Sequence, residues 1–465
     1  MTFRPDKILT LKIAASLLLF VALLLAPLPD GLSDQGQRAL AVMALAVVLW
    51  ATEAFPIAVT GLAGVVLLVL IGGAPDLGGA LFGFSQPVAY FLIGILTLGL
   101  AVHRSGLAER LAVLLIRSAG GSPRMLYVQM LVSFALLTFA LPSASTRGAI
   151  MVHIYEQIME HWHLSRESAM YRAVMMALGS LNRLGSTALL AGGITPVVAS
   201  GLLGDFSWTQ WFLLMSLPFY ANLVIGGTVL YLYYRAGFQL EEATDLQALT
   251  TRPMQLPEIK AGLITLGTAL LWFTDFAHGL HPAVPALIAL TIILTLGLGL
   301  LTWREFESDV GWSNFFVIAT TLSLAHALVT SGAAAWFSEN LVGGVGAVRG
   351  EPLLMLLVLA VTFALVRLIV PNIAGYLALV IPVAMATGES LGLNPLVCGM
   401  AVVVVGDSVV YYAAGSTSGV FIFQRANLEG SQIFRFGLAM TVVTIGVLFA
   451  IAVPYWGLVG EPLVK

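Results

Sequence analysis

The sequence predicts an all-α polytopic membrane protein with about eleven transmembrane helices. Of its 465 residues, 59% are hydrophobic and only 10% are charged, so the chain lacks the polar surface of a water-soluble protein. Apolar runs of about 17 to 25 residues recur along it, and an α-helix of that length crosses the hydrocarbon of a bilayer. The alternating polar and apolar strands of a membrane β-barrel are not found in the sequence.

The apolar runs give the spans in chain order. They lie near residues 11–28, 38–53, 56–72, 88–103, 170–203, 210–234, 260–277, 283–301, 313–329, 393–424 and 434–453. The first run resembles a secretory signal because it follows basic residues. No small-residue cleavage site follows it, so we expect it to remain as a membrane anchor.

Two further segments, 125–162 and 353–388, have a polar, helix-breaking tip between apolar flanks. Each flank has about 16 residues and would be ~24 Å long as a helix, which is too short to cross comfortably. We therefore predict two re-entrant hairpins, each of which returns to the side from which it entered.

The distribution of Lys and Arg predicts the orientation in the membrane. With a cytoplasmic N-terminus, the outer loops hold only Arg38, Arg349 and Lys465. The inner loops then hold Arg4, Lys7, Lys12, Arg104, Arg110, Arg117, Arg124, Arg166, Arg172, Arg235, Arg252, Lys260, Arg304, Arg425 and Arg435. This excess favours an N-terminus inside and a C-terminus outside.

Four pairs of similar stretches occur in the same order in the two halves of the chain. They are WATEAFP (50–56) with WFTDFAH (272–278), HRSGLAERL (103–111) with VTSGAAAWF (329–337), LPSAST (141–146) with VPNIAG (370–375), and AGGITPVV (191–198) with AAGSTSGV (413–420). The order predicts a duplication. An odd number of spans in the first half predicts two inverted repeats, each with a hairpin and a broken helix, as in secondary transporters.

The first hairpin tip is a candidate ligand site. Free N–H groups at a helix start can face an anion, and hydroxyl and carbonyl oxygens can bind a cation. Ser143, Ser145 and Thr146 supply such oxygens, and Pro142 marks the break. The alternative is an ordinary kinked span. The matching tip around Asn372 makes that alternative weaker.

Two glycine-rich stretches within later spans, GGITP and AGSTSG, are further candidates. They place Gly193 beside Thr195, and Gly415 and Ser416 beside Thr417. We predict unwound loops that line the ligand site. Close helix packing by small residues is the alternative.

Ionisable residues inside spans are costly and indicate function. Arg147, Arg183 and Arg367 flank the tips and one broken span, and a guanidinium suits a carboxylate or sulfate. Pairing with acidic residues, or extension to the interface, is the alternative. Asp407 is the most isolated acid in an apolar run, and we expect either proton coupling or an ion pair with one of these arginines.

Other classes of protein are less compatible with the sequence. A net charge of −3 does not favour a nucleic-acid partner, and the single Cys398 excludes an internal disulfide. The run HIYEQIMEHWH (153–163) is rich in His and Glu, but without HExxH it reads as a solvated segment and not a zinc site. An intramembrane enzyme would need a motif such as GxSxG, and a channel would need a selectivity filter. We expect a carrier with no cofactor.

The stretch WATEAFPIAVTGLAGVVLLVLIG resembles the signature of the divalent anion/sodium symporter family, which carries dicarboxylates, citrate and sulfate. LPSASTRG resembles the first hairpin-tip motif of that family and is nearest to the bacterial citrate/succinate exchanger branch. The likeness extends from Trp50 to the Trp456-Gly457-Leu458 ending.

This resemblance implies a homodimer in a bacterial inner membrane, with a scaffold domain and a transport domain that moves like an elevator. The implied divisions are scaffold 1–124, transport 125–235, a cytoplasmic linker 236–259, scaffold 260–352 and transport 353–465. The resemblance places Ser143, Ser145, Thr195, Asn372, Thr417 and Ser418 at positions of the family motifs. Together with the residues selected above for their own chemistry, the predicted substrate-binding residues are Ser143, Ser145, Thr146, Arg147, Arg183, Thr195, Asn372, Thr417 and Ser418. The residues predicted for ion binding or coupling are Ser143, Gly193, Asn372, Asp407, Gly415 and Ser416.

The tips depart from the family pattern of Ser-Asn-Thr. Ser143, Ala144 and Ser145 stand at the first tip, and Pro371, Asn372 and Ile373 stand at the second. Only Asn372 keeps an amide, and a hard cation loses affinity with each missing oxygen. We therefore expect exchange of small divalent anions more than strict sodium symport, with Na⁺ or H⁺ coupling as the alternative.

Overall fold

The computed structural model describes residues 7–141, 143–239, 253–295, 299–345 and 350–464. In these ranges the chain forms helices connected by short turns. The helices are α1 Lys7–Leu25, α2 Asp34–Thr52, α3 Ile57–Leu70, α4 Leu77–Ala80, α5 Pro87–Ser105, α6 Leu107–Arg117, α7 Pro123–Leu136, α8 Ala144–His161, α9 Ala169–Ser180, α10 Asn182–Thr187, α11 Ile194–Leu203, α12 Trp208–Tyr233, α13 Leu256–Phe273, α14 Asp275–His278, α15 Ala283–Leu294, α16 Trp303–Asp309, α17 Trp312–Thr330, α18 Ala333–Val345, α19 Pro352–Ile369, α20 Ile373–Ser390, α21 Pro395–Asp407, α22 Thr417–Arg425, α23 Gly430–Val447 and α24 Val453–Leu458.

Eight helical segments in the described residues are long and apolar enough to cross a bilayer. They are α1, α5, α12, α13, α17, α19, α20 and the continuous segment Gly430–Leu458. Shorter apolar helices lie in the predicted spans 56–72, 170–203, 283–301 and 393–424. The prediction of an all-α polytopic membrane protein is confirmed.

The first hairpin consists of α7 and α8, separated by a break before Ala144. The hydroxyl of Tyr155, late in α8, donates to the carbonyl of Leu126, early in α7, at 3.3 Å. The two arms of the hairpin are therefore in contact far from the tip, so the chain reverses its direction at the tip.

The second hairpin consists of α19 and α20, which are separated by Val370, Pro371 and Asn372. Each arm is an 18-residue helix, about 27 Å long at 1.5 Å per residue. The arms are longer than the 16-residue flanks that the sequence predicted, so arm length is weak evidence for this hairpin. The break in the helix at the tip is the stronger evidence.

Both broken helices are interrupted where the sequence places glycine. A 3₁₀ turn, Leu190–Gly192, separates α10 from α11, and a second, Ala413–Gly415, precedes α22. The Ser-Gly pairs of the repeat also have matching roles. Gly106 and Gly332 follow α5 and α17 with φ angles of 86° and 77°, which glycine adopts without steric cost.

The scaffold helices of the two halves pack in reciprocal pairs. Helix α5 of the first half lies on α15 of the second, and α17 of the second lies on α3 of the first. Glycine allows both contacts, because a Cβ on Gly94 would lie 2.6 Å from the Cβ of Ala286. A Cβ on Gly61 would lie 2.1 Å from the Oγ1 of Thr320.

The broken helix of each half packs against the hairpin and the broken helix of the other half. Helix α11 packs on α20 and α21, and its counterpart α22 packs on α8 and α9. The amide oxygen of Asn222 in α12 accepts from the hydroxyl of Thr444 in α23 at 3.1 Å, at the 222-residue offset of the repeat. The two halves therefore form one interlocked body around a shared core. Most of the predicted linker 236–259 lies outside the described residues.

Candidate functional site

The first tip is built around the start of α8. The hydroxyl of Ser143 caps the helix by accepting from the Thr146 N–H at 3.2 Å and also from the Thr146 hydroxyl at 3.0 Å. A Ser at this position is a strong helix start signal. Ser143 and Thr146 are half-buried and Ser145 is exposed. Pro142 lies outside the described residues.

Arg147 is fully buried and holds the first tip against α10. Its guanidinium donates to the side-chain and main-chain oxygens of Asn182 at 2.7 and 2.9 Å, to the Leu141 carbonyl at 2.9 Å and to Ser186 Oγ at 2.6 Å. The Asn182 amide donates in turn to the Ala144 carbonyl at 2.8 Å. Protein oxygens therefore engage Nε and both terminal nitrogens of the guanidinium, and Arg147 acts here as a brace for the tip.

The second tip has a comparable brace on its other arm. Asn372 caps α20 by accepting from the Gly375 N–H at 2.9 Å. Arg367, which is buried near the end of α19, donates to the carbonyls of Gly406, Val370 and Pro371 at 2.8, 2.7 and 2.5 Å. Each tip is thus fixed to the adjacent broken helix by a buried guanidinium.

The second segments of the broken helices begin at Gly193 and Ser416. Gly193 is the N-cap of α11, and Ser416 caps α22 by accepting from the Gly419 N–H at 3.1 Å. A Cβ on Gly415 would lie 3.7 Å from the carbonyl oxygen of Pro371 in the second tip. The side chains of Thr417 and Ser418 lie outside the described ones.

An ion pair connects the two broken helices. Arg183 in α10 donates through Nη2 to Asp407 at the end of α21, and through Nη1 to the Gly415 carbonyl at 3.4 Å. Asp407 also accepts from the hydroxyl of Thr187 and, at 3.4 Å, from that of Thr195. Its side chain is fully buried and that of Arg183 is 11% exposed. The sequence left two interpretations of Asp407, proton coupling and an ion pair with an arginine. The structure shows the ion pair, with Arg183 as the partner.

A continuous series of contacts links four helix starts, those of α8, α11, α20 and α22, and α11 joins it because Thr195 in its first turn donates to Asp407 at 3.4 Å. The first tip is hydrogen-bonded to α10, and α10 is in turn bonded to Asp407 at the end of α21 and to the Gly415 carbonyl. Gly415 lies against the second tip. The start of a helix carries a partial positive charge and N–H groups without helical acceptors, so it favours an anion. Hydroxyl and carbonyl oxygens at the same place are the ligands of a hard cation.

Three polar residues of this site were not predicted from the sequence. Asn182, Ser186 and Thr187 lie in α10 and hold the buried charges in place. The signal was present, since LNRLGST is a polar stretch within a long apolar span. Polar groups at this depth require partners, yet Arg183 was the one residue of this stretch predicted to be functional.

The His- and Glu-rich run forms no metal cluster among the residues that the structure describes. Glu156 was expected to be solvated, but it is buried. It accepts from the Tyr171 hydroxyl at 3.1 Å and pairs with Arg425 at 3.1 Å. These contacts tie α8 to α9 and α22.

Known proteins resemble the chain over nearly its whole length. A membrane protein of Cupriavidus necator is 24% identical, with 96% of this chain and 91% of that protein covered. An uncharacterized transporter of Haemophilus influenzae is 22% identical over 90% of this chain and 91% of its own length. An L-tartrate/succinate antiporter of Escherichia coli K12 is 22% identical over 97% of both chains.

Two solved structures share the fold. MtrF of Neisseria gonorrhoeae, described with a class of antimetabolite efflux pumps, gives a TM-score of 0.55 at 13% identity, over 91% of this chain and 95% of MtrF. The YdaH transporter of Alcanivorax borkumensis gives 0.53 at 14% identity, over 98% and 99%. The sequence profile of the "Sodium:sulfate symporter transmembrane region" matches residues 7–461. The chain therefore belongs to the sodium:sulfate symporter family.

Proposed function

We propose that this membrane transporter exchanges small divalent anions, namely di- or tricarboxylates, across a bacterial inner membrane. Its family and the antiporter among its relatives support a secondary transporter of such anions. The observation that carries the proposal is the meeting of four helix starts beside Arg183 and Asp407. This arrangement offers main-chain N–H groups and a guanidinium to a negatively charged solute.

We propose roles for individual residues on the same basis. Substrate contacts come from Ser143, Ser145, Thr146, Arg183, Thr195, Asn372, Thr417 and Ser418, and Arg147 supports them from behind the first tip. Any coupling ion would bind among Ser143, Gly193, Asn372, Asp407, Gly415 and Ser416. Because Ser143 and Asn372 already accept hydrogen bonds as helix caps, their oxygens have less capacity to bind sodium, which favours exchange.

We also propose an elevator movement of the two hairpins and two broken helices as one unit. Because α22 packs on α8 and α9 while α11 packs on α20 and α21, these elements interlock across the halves. A rigid unit of this kind fits alternating access by movement against a scaffold. The scaffold would comprise residues 1–124 and 260–352, the division that the family resemblance implies.

Uptake into proteoliposomes tests the proposed activity. Labelled succinate, tartrate, citrate and sulfate would each be supplied outside, with Na⁺, pH and the internal anion varied separately. We expect uptake to require an internal dicarboxylate and to be unchanged when K⁺ replaces Na⁺. Uptake into empty vesicles driven by a sodium or proton gradient would support symport instead. Uptake that neither internal substrate nor a sodium or proton gradient accelerates would indicate a pore.

Cysteine labelling tests the orientation of the chain. In a Cys398→Ala background, Val464→Cys would react with an impermeant maleimide in intact cells, and Ser308→Cys only after permeabilisation. Both positions are exposed. The reverse pattern would place the N-terminus outside. Cross-linking of detergent-purified protein would test the expected homodimer.

A further inference from the structure

A cavity of about 130 Å³ lies where α12 ends and α23 begins, on the side that the sequence predicts to be cytoplasmic, and no residue of either hairpin tip lines it. Three helices form it, with contributions from the second half of α9, the end of α12 and the start of α23. Its lining residues are Met176, Val229, Leu230, Tyr233, Tyr234, Gln432, Arg435, Phe436 and Ala439. Most of this surface is apolar, so the cavity suits hydrocarbon better than a soluble anion.

Basic residues lie at the edge of the cavity. Arg435 is exposed and contributes to the lining, and Arg172 lies one helical turn from Met176 on the same face of α9. Arg172 also lies near Tyr234, one of the residues that line the cavity. Among the described residues, no ion pair includes Arg172 or Arg435.

One of these guanidinium groups has a buried donor without an acceptor. The Nε of Arg172 is buried and has no hydrogen-bond partner in the structure. Buried N–H donors are almost always paired in proteins, and a charged one favours an anionic acceptor. Glu156, an acid that contacts α9, is already engaged by Arg425 and Tyr171.

We propose that this cavity binds an anionic phospholipid, with its phosphate between Arg172 and Arg435 and its first methylene groups in the apolar cavity. A volume of 130 Å³ is roughly ten times the ~10–15 Å³ that one water needs by this measure, so we expect the cavity to hold the glycerol end of one chain while the rest of the chain lies in the bilayer. Tyr233 and Tyr234 fit this position because tyrosine favours the level of the headgroups. Basic pockets between transmembrane helices on the cytoplasmic side bind such headgroups.

Retention of lipid by the purified full-length protein tests the site. Native mass spectrometry would compare dioleoyl phosphatidylglycerol with dioleoyl phosphatidylcholine, which has the same chains without the net charge. We expect roughly tenfold tighter retention of phosphatidylglycerol, reduced to the level of phosphatidylcholine in Arg172→Gln/Arg435→Gln. Arg304→Gln removes an exposed arginine of α16 and is the matched control, which we expect to keep the preference.

A second variant tests the role of the cavity independently of the charge of the two arginines. Ala439→Phe fills the cavity and leaves both arginines in place, so we expect it to lose the bound lipid while its oligomeric state by light scattering stays unchanged. If the double variant does not fold, Ala439→Phe and Arg435→Gln alone provide the test. Equal retention of both lipids, an equal loss in Arg304→Gln, displacement of the lipid by succinate, or dissociation of the oligomer would overturn the proposal. Lipid retention is measured without transport, so failure of the proposed exchange would leave this result intact.

Discussion

Arg183 and Asp407 form a buried ion pair that joins the broken helix of the first half to the broken helix of the second half. Removal of one partner leaves a buried charge uncompensated, so we expect Arg183→Met or Asp407→Leu to reduce the free energy of unfolding by about 3–5 kcal/mol. The double variant should lose clearly less than the sum of the two single losses. Chemical unfolding in detergent measures this, and additive losses would show that the two charges do not interact.

The same ion pair predicts the pH dependence of transport. If Asp407 acts as the partner of Arg183 and not as a proton carrier, the residual uptake by Asp407→Asn should keep the pH profile of the wild type. The profile would be measured with internal and external pH changed together. A profile that becomes flat in Asp407→Asn would instead identify Asp407 as the proton-coupling group.

Arg147 should not tolerate replacement by Lys. Its guanidinium reaches oxygens of Leu141, Asn182 and Ser186 at once, and a lysine ammonium cannot reproduce that fork. We expect Arg147→Lys to lower the free energy of unfolding by about 2–4 kcal/mol, because buried oxygens lose a charged donor. Arg304→Lys, at an exposed site, should change it by less than about 0.5 kcal/mol. Similar values for both would mean that the brace does not stabilise the tip.

A substitution at Asn372 can distinguish its role as a helix cap from its proposed role in binding the anion. Asp caps a helix as well as Asn does, so Asn372→Asp should leave the stability nearly unchanged. A carboxylate at the start of α20 would repel an anionic substrate, and we expect KM to rise at least tenfold, which is about 1.4 kcal/mol. Ser168 caps α9 away from the tips, and Ser168→Asp should transport normally. Unchanged KM in Asn372→Asp would remove the α20 start from the substrate site.

The contact between α10 and the first hairpin depends on the absence of a side chain at Gly185. A Cβ at this position would lie 2.2 Å from the Phe134 carbonyl oxygen, so we expect Gly185→Ala to cost about 1–3 kcal/mol of stability. Gly446 lies in α23 with no atom within 4 Å of such a Cβ. Gly446→Ala should therefore stabilise the protein by up to about 1 kcal/mol. Equal effects in thermal unfolding would contradict this view of the contact.

Local features of the sequence were enough to predict the spans, the two tips and the glycine breaks, because hydropathy and helix breakers act over a few residues. The partners of the buried charges were not predictable in the same way. Asp407 had three arginines as candidates, and only the packing of α10 beside α21 selects Arg183. For Arg147 the partner is the amide of Asn182, which lies 35 residues away and has no charge to signal it.

The exchange of α11 and α22 between the halves has a consequence for biogenesis. When the ribosome has synthesised the first half, α11 is already in the membrane, but α20 and α21, on which it packs, have not been translated. The first hairpin likewise waits for α22. Insertion can therefore proceed helix by helix, whereas tertiary assembly must wait until almost the entire chain has left the translocon. Cells would be expected to degrade a truncated first half instead of accumulating it.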